Sequence, residues 1–289
     1  MGDHDIIDIV VYLILLGIVI LTPVIISLDA FHPYVTVKET IFLFLICIAI
    51  IVWVAKIIFT GKIYFIKSNT SLAVTIYMAY SILSYLISDF SDRIYLLNLL
   101  GAIIFYFLLT NFVTDKRKIK GIIISWMIAL VPCIIYGTMQ YFGRDYTGFI
   151  GYFGAREIGL RVFSFFGNPN IYAVFLTMSI PVMIGYFLAI KNRIIKSAVG
   201  ILIIGATVNL LFTQTRGGWI GLFGGMTVFV LLSLLMRYRN EISKKNLIKT
   251  IKRPITIIVL IVLLIIISGG IIGLVNYYNS NKKSIGEST

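Results

Sequence analysis

The chain has 289 residues and a formal net charge of +13, from 25 Lys and Arg against 12 Asp and Glu, yet only 13% of it is charged and 59% is hydrophobic. A soluble domain carries about a quarter charged residues, so this balance excludes an ordinary soluble protein and indicates an integral membrane chain. The basic excess fits lysine- and arginine-rich cytoplasmic loops and attraction to anionic membrane lipids, and it requires no nucleic-acid partner.

An apolar run of about 20 residues spans the hydrocarbon core as a helix, because each residue rises about 1.5 Å and the core is about 30 Å thick. About nine such runs follow one another, over residues 6–28, 40–59, 71–87, 94–112, 119–141, 169–190, 194–213, 217–236 and 255–275. Their continuous Leu, Ile, Val and Phe stretches lack the short alternating pattern of a membrane β-barrel. The predicted fold is all-α, a polytopic helical bundle forming one transmembrane domain over residues 1–289.

Basic residues orient this bundle, since Lys and Arg in short loops favour the cytoplasmic side. Seventeen of the 25 fall in the second, fourth, sixth and eighth connections, among them Lys62, Lys116, Arg117, Arg193, Lys196 and Arg237. With nine spans the N-terminus is then cytoplasmic and the C-terminus outside, although the tail holds Asp3, Asp5 and Asp8. No basic region precedes the first run, which reads as a retained helix. All twelve acidic residues are expected in loops or tails, which disfavours a proton-driven transporter. Cys47 and Cys133 fall within runs and form neither a disulfide framework nor a metal site.

The outer connection over residues 143–168 is rich in glycine and aromatic residues and reads as a re-entrant or interfacial loop. Its rings either sit among lipid headgroups or stack on sugar faces. It ends in R-V-F-S-F-F-G-N-P-N, from Arg161 to Asn170. Asn168 followed by Pro169 predicts a helix start, since Asn caps free N–H groups and Pro is tolerated at the first helical position. The positive end of the helix dipole would then face incoming anions, with Asn170 offering a further donor. Asn168 serves equally well as a cap alone.

The next outward turn holds Gln214, Thr215 and Arg216 ahead of Gly217 and Gly218. An arginine at a membrane edge is either a snorkelling anchor or a ligand group. The polar run and the glycines, which permit close backbone approach, favour the second. A guanidinium offers paired donors matching phosphate oxygens. Two of them beside greasy helices suit a lipid diphosphate.

These two stretches carry a resemblance. Arg161, Ser164, Phe166, Gly167, Asn168, Pro169 and Asn170, then a helix, a short basic loop, a second helix and T-R-G-G-W-I-G-L from Thr215, closely resemble the core of the O-antigen ligase and polymerase superfamily of bacterial membrane glycosyltransferases. The motif region covers about 60 residues. The resemblance implies a GT-C-like fold in the bacterial inner membrane that moves a glycan from an undecaprenyl-diphosphate donor to an acceptor hydroxyl of a glycan, glycolipid or protein on the outer face. It also implies that Arg161 and Arg216 stabilise the departing diphosphate without a metal or cofactor, with Ser164, Asn168, Asn170, Gln214, Thr215 and Gly217 in the donor site.

Members of that superfamily are similar in having a large outer loop with a histidine, and then further helices. Residues 276–289 read as the start of such a loop, so the chain is expected to be incomplete in its acceptor half. His4 is expected on the inner side, and His32, in the first outer loop, reads as a surface residue in preference to a substitute base. The alternative class is a non-catalytic membrane protein: a binder of lipid-linked glycans, an accessory subunit or a flippase.

Overall fold

The computed structural model describes residues 3–30, 32–61, 68–88, 93–143 and 161–241. Among them every α or β element is helical: α1 (Asp3–Val24), α2 (Thr36–Thr60), α3 (Asn69–Ile87), α4 (Arg93–Phe112), α5 (Lys116–Tyr141), α6 (Pro169–Ala189), α7 (Arg193–Phe212) and α8 (Arg216–Glu241), with one 3-10 turn at Ser164–Phe166. All eight α-helices are long and apolar enough to cross a bilayer. They correspond to the first eight apolar runs. The ninth run at 255–275, the tail at 276–289 and residues 144–160 of the outer connection lie outside the described residues.

The helix ends have local chemical causes. Ser68 caps α3 by accepting from the Ser71 N–H at 3.0 Å, and Asn192 caps α7 by accepting from Ile194 and Ile195. Gly61 closes α2 at φ 62°, donating to the Ile57 carbonyl at 2.8 Å; that left-handed conformation is cheap only for glycine. Within the helices, hydroxyls of Thr75, Ser179, Thr207 and Thr227 donate to the carbonyl four residues back. This satisfies polar groups where lipid offers no partner.

The chain forms two compact units, residues 1–153 with 164–167 and residues 154–163 with 168–289. In the first, α1 packs against α2 and α5, and α4 packs against α2 and α3. Val11, Leu15 and Ile18 of α1 meet Ile46 and Ala49 of α2 and Leu108 and Phe112 of α4 in its core. At one end of this unit Lys56 of α2 pairs with Asp8 of α1, the Tyr12 hydroxyl donates to the Lys118 carbonyl at 3.1 Å, and Lys118 Nζ donates to the Phe112 carbonyl at 3.0 Å.

This corrects the expectation that every acidic residue lies in a loop or tail. Asp3, Asp5 and Asp8 belong to α1, and Glu39 lies in the first turn of α2. Apolar runs mark the stretch of helix that suits hydrocarbon, and helices extend past it into more polar surroundings. Asp8 is kept there by Lys56, since a carboxylate near lipid is costly without a partner.

In the second unit α6 packs against both α7 and α8. Gly218, Gly221 and Gly225 of α8 face Ala173, Thr177 and Pro181 of α6 in the same order along both helices, so the two run parallel. A methyl on Gly218 would lie 3.0 Å from Leu210 Cδ1 and 3.1 Å from Ala173 Cβ. Thr177 Oγ1 also donates to the Gly218 carbonyl at 3.1 Å. Between apolar helices in lipid, association depends on such close packing rather than on a hydrophobic driving force. Gly218→Val is therefore expected to destabilise the chain by about 1–3 kcal/mol, the usual cost of overpacking. Thermal denaturation of the full chain in detergent micelles reads this, and an unchanged midpoint would remove the close contact from the account.

Candidate functional site

The polar end of the second unit is built from two helix starts and one helix end. Asn168, extended at φ −142°, accepts from the Asn170 N–H at 2.8 Å, and Pro169 opens α6. The expected cap is therefore in place. α7 ends at Phe212 and α8 begins at Arg216, so only Thr213, Gln214 and Thr215 connect them. Gln214 turns the chain at φ 51°, a conformation that non-glycine residues adopt uncommonly.

A helix end leaves its last four carbonyls without intrahelical partners, and at α7 each one is accounted for. Thr213 N–H donates to the Asn209 carbonyl, Thr213 Oγ1 to Leu210 and Gln214 N–H to Leu211. The fourth, on Phe212, and the carbonyl of the capping residue Thr213 are bound from further away. Val162 N–H donates to the Phe212 carbonyl at 3.1 Å, and Arg161 Nε donates to the Thr213 carbonyl at 2.9 Å. A cation at the C-terminal end of a helix is favourable, because that end of the dipole is negative.

The same guanidinium reaches both neighbouring helix starts. Arg161 Nη2 donates to Asn170 Oδ1 of α6 at 3.1 Å and to Thr215 Oγ1, just before α8, at 3.0 Å. Thr215 Oγ1 itself lies 3.3 Å from Asn170 Oδ1 and 3.4 Å from the Pro169 carbonyl. Arg161, Asn170 and Thr215 are thus one hydrogen-bonded group. Arg216 follows Thr215 in the chain, so both arginines sit at the same end of this unit. Gln214, Arg216 and Gly217 are exposed, as are Asn168 and Asn170. Arg216 meets no hydrogen-bond acceptor among the described residues. Two helix N-termini, each equivalent to roughly half a positive charge, and two guanidiniums outweigh the negative end of α7 and leave this end cationic.

Ser164 belongs to the other unit, and its polar atoms are already engaged there. It is fully buried at φ 50°; its N–H donates to Gln140 Oε1 at 2.7 Å and its hydroxyl donates to the Cys133 carbonyl at 2.7 Å. Phe165 stacks on Tyr136 with centroids 4.6 Å apart, and Lys38 lies 4.6 Å over the Phe166 ring while donating to the Pro23 carbonyl at 2.6 Å. Gly167, at φ 65°, would place a methyl 2.8 Å from Tyr34. Here Ser164 fastens the motif's turn to α5. Gln140 and Lys38 escaped the sequence reading. The signal was present, since a glutamine inside an apolar run and a lysine just before one require partners.

Among the described residues no group of three or more His, Cys, Asp or Glu could hold a metal ion. The chain matches no protein-family model, no curated protein and no solved structure. For the turn, Gly167→Ala meets both the left-handed backbone, which costs an L-residue about 1–2 kcal/mol, and the Tyr34 side chain. It is expected to lower the thermal midpoint of the full chain more than Gly143→Ala, whose added methyl meets no atom within 4 Å although its φ of 75° is also positive. Equal losses would show that the Tyr34 contact contributes nothing.

Proposed function

We propose that this chain is a membrane glycosyltransferase of the O-antigen ligase and polymerase type, which takes a glycan from undecaprenyl diphosphate and passes it to an acceptor hydroxyl outside the bacterial cell membrane. The observation that carries the reading is the hydrogen-bonded group of Arg161, Asn170 and Thr215, which ties the starts of α6 and α8 together immediately beside the exposed Arg216. It supports an anion site at the end of membrane-spanning helices, where a lipid tail lies along apolar surface while its diphosphate meets cations.

The side of the membrane follows from charge. Lys191, Arg193 and Lys196 flank the α6–α7 connection, and Arg237 and Arg239 lie in the last turns of α8, at the end of the unit away from Arg216. Basic residues favour the cytoplasmic side, so the Arg216 end faces outward on this reading, with the N-terminus in the cytoplasm. As the bond between sugar C1 and the phosphate oxygen breaks, negative charge grows on the departing diphosphate. Cations and helix N-termini already aimed at that charge stabilise the transition state more than the ground state.

A second reading, a binder of lipid-linked glycans without transfer activity, has one observation in its favour. The described residues of the second unit contain no histidine, and their single carboxylate, Glu241, ends the helix that Arg216 begins, so neither residue type stands beside Arg216 to take the acceptor's proton. Reconstituted glycan transfer from a lipid-diphosphate donor separates the two. Arg216→Ala is expected to reduce transfer by at least about 100-fold, the scale of losing one preorganised transition-state donor, with membrane insertion intact. Arg216→Lys should recover little, because an ammonium cannot reproduce the paired donors. Donor retention without any transfer by the unaltered protein would favour the binding reading, and full transfer by Arg216→Ala would remove that residue from the mechanism.

A further inference from the structure

We propose that the two arginines divide their labour: Arg161 is a positioning residue that holds the α6 and α8 helix starts against the end of α7, and Arg216 alone presents a complete guanidinium to the ligand. The Arg216 half rests on the diphosphate reading above; the Arg161 half does not.

Donor arithmetic carries the assignment. A guanidinium has five N–H donors. In Arg161 the Nε donor goes to the Thr213 carbonyl and the two Nη2 donors go to Asn170 Oδ1 and Thr215 Oγ1. The Nε–Nη2 edge, one of the forks that grips a phosphate side-on, is spent on three protein acceptors. Only Nη1 remains without an acceptor among the described residues. Arg216 has the opposite inventory, being exposed with no acceptor among those residues.

The three acceptors belong to three different places: the end of α7, the first turn of α6 and the residue preceding α8. Cutting these bonds frees the Thr213 carbonyl at the negative end of α7 and removes the guanidinium bridge between the starts of α6 and α8, leaving the glycine packing and the Thr177–Gly218 bond further along to join them. Arg216 is the next residue along the chain from Thr215, so the placement of its guanidinium depends on that tie. Gln214, held at φ 51° between Thr213 and Thr215, sits within the same constrained turn.

The full chain in lipid nanodiscs tests this, with the thermal midpoint and the affinity for a short-chain polyprenyl diphosphate as readouts. Thr215→Val removes one tie while leaving both guanidiniums in place. Arg161→Ala, Arg161→Lys and Thr215→Val are each expected to lower the unliganded midpoint by a few degrees. Each should also weaken probe affinity on the order of tenfold, as expected when a partner that orients a ligand group is lost. The double variant Arg161→Ala with Thr215→Val should lose little more than Arg161→Ala alone, since residues acting as one unit are not additive. Arg216→Ala should leave the unliganded midpoint unchanged and abolish probe binding.

Additive losses in the double variant, or wild-type affinity in Thr215→Val with loss in Arg161→Ala, would make Arg161 a direct contact and overturn the positioning role. If the unaltered chain does not bind the probe, the diphosphate reading and the Arg216 half fail together. The Arg161 half is then decided by the midpoints alone, where non-additive losses support the tie and additive losses overturn it.

Discussion

The polar end of the second unit depends on how closely two parallel helices approach. Gly218, Gly221 and Gly225 remove side chains from the face of α8 that meets Ala173, Thr177 and Pro181 of α6, so the backbones lie near enough for Thr177 to bond the Gly218 carbonyl. Parallel packing puts two positive helix ends side by side. Their mutual repulsion is small: two half charges about 10 Å apart at an effective dielectric near 20 cost about 0.4 kcal/mol. Close packing outweighs that cost. What remains is positive potential at both helix starts.

The antiparallel α7 brings the opposite charge to the same end, and the structure spends Arg161 on it. The backbone and side chain of residues 161 and 162 complete the hydrogen bonding of the last α7 carbonyls, and the remaining guanidinium donors bind the two helix starts. One side chain therefore serves as helix cap and as tie. A lysine has the charge for this place but lacks donors fixed in three directions. The residue left exposed is Arg216, on the first turn of a helix whose dipole reinforces its charge.

Much of this was legible in the sequence. Eight of the apolar runs lie on helices, the Asn168–Pro169 pair opens α6 as its chemistry demands, and the short polar connection carrying Arg216 stands out because apolar runs abut it on both sides, although Arg216 itself is the first residue of α8. The partners of these residues were not legible. The resemblance puts Ser164 in the donor site, yet its hydroxyl is bound to a carbonyl 31 residues away on α5. Arg161 reads as a ligand group, yet its acceptors lie up to 54 residues along the chain. Hydrophobic periodicity reports that a helix exists and is apolar, while the face it turns to a neighbour is set by packing. The same limit hid the Asp8–Lys56 pair. The glycines of α8 carry a packing signal, at spacings of three and four from Gly218 to Gly225, but of these only Gly218 reads as permission for close approach, because the partners on α6 are not legible.

The central claim is that the paired starts of α6 and α8, with Arg216 between solvent and bilayer, grip a diphosphate rather than any phosphorylated lipid. Native mass spectrometry of the full chain, released from micelles containing equal amounts of undecaprenyl diphosphate and undecaprenyl monophosphate, tests it most directly. Preferential retention of the diphosphate, lost when Arg216 is replaced by Ala, is the predicted result. Equal retention of the two lipids, or a preference that survives that replacement, would contradict it.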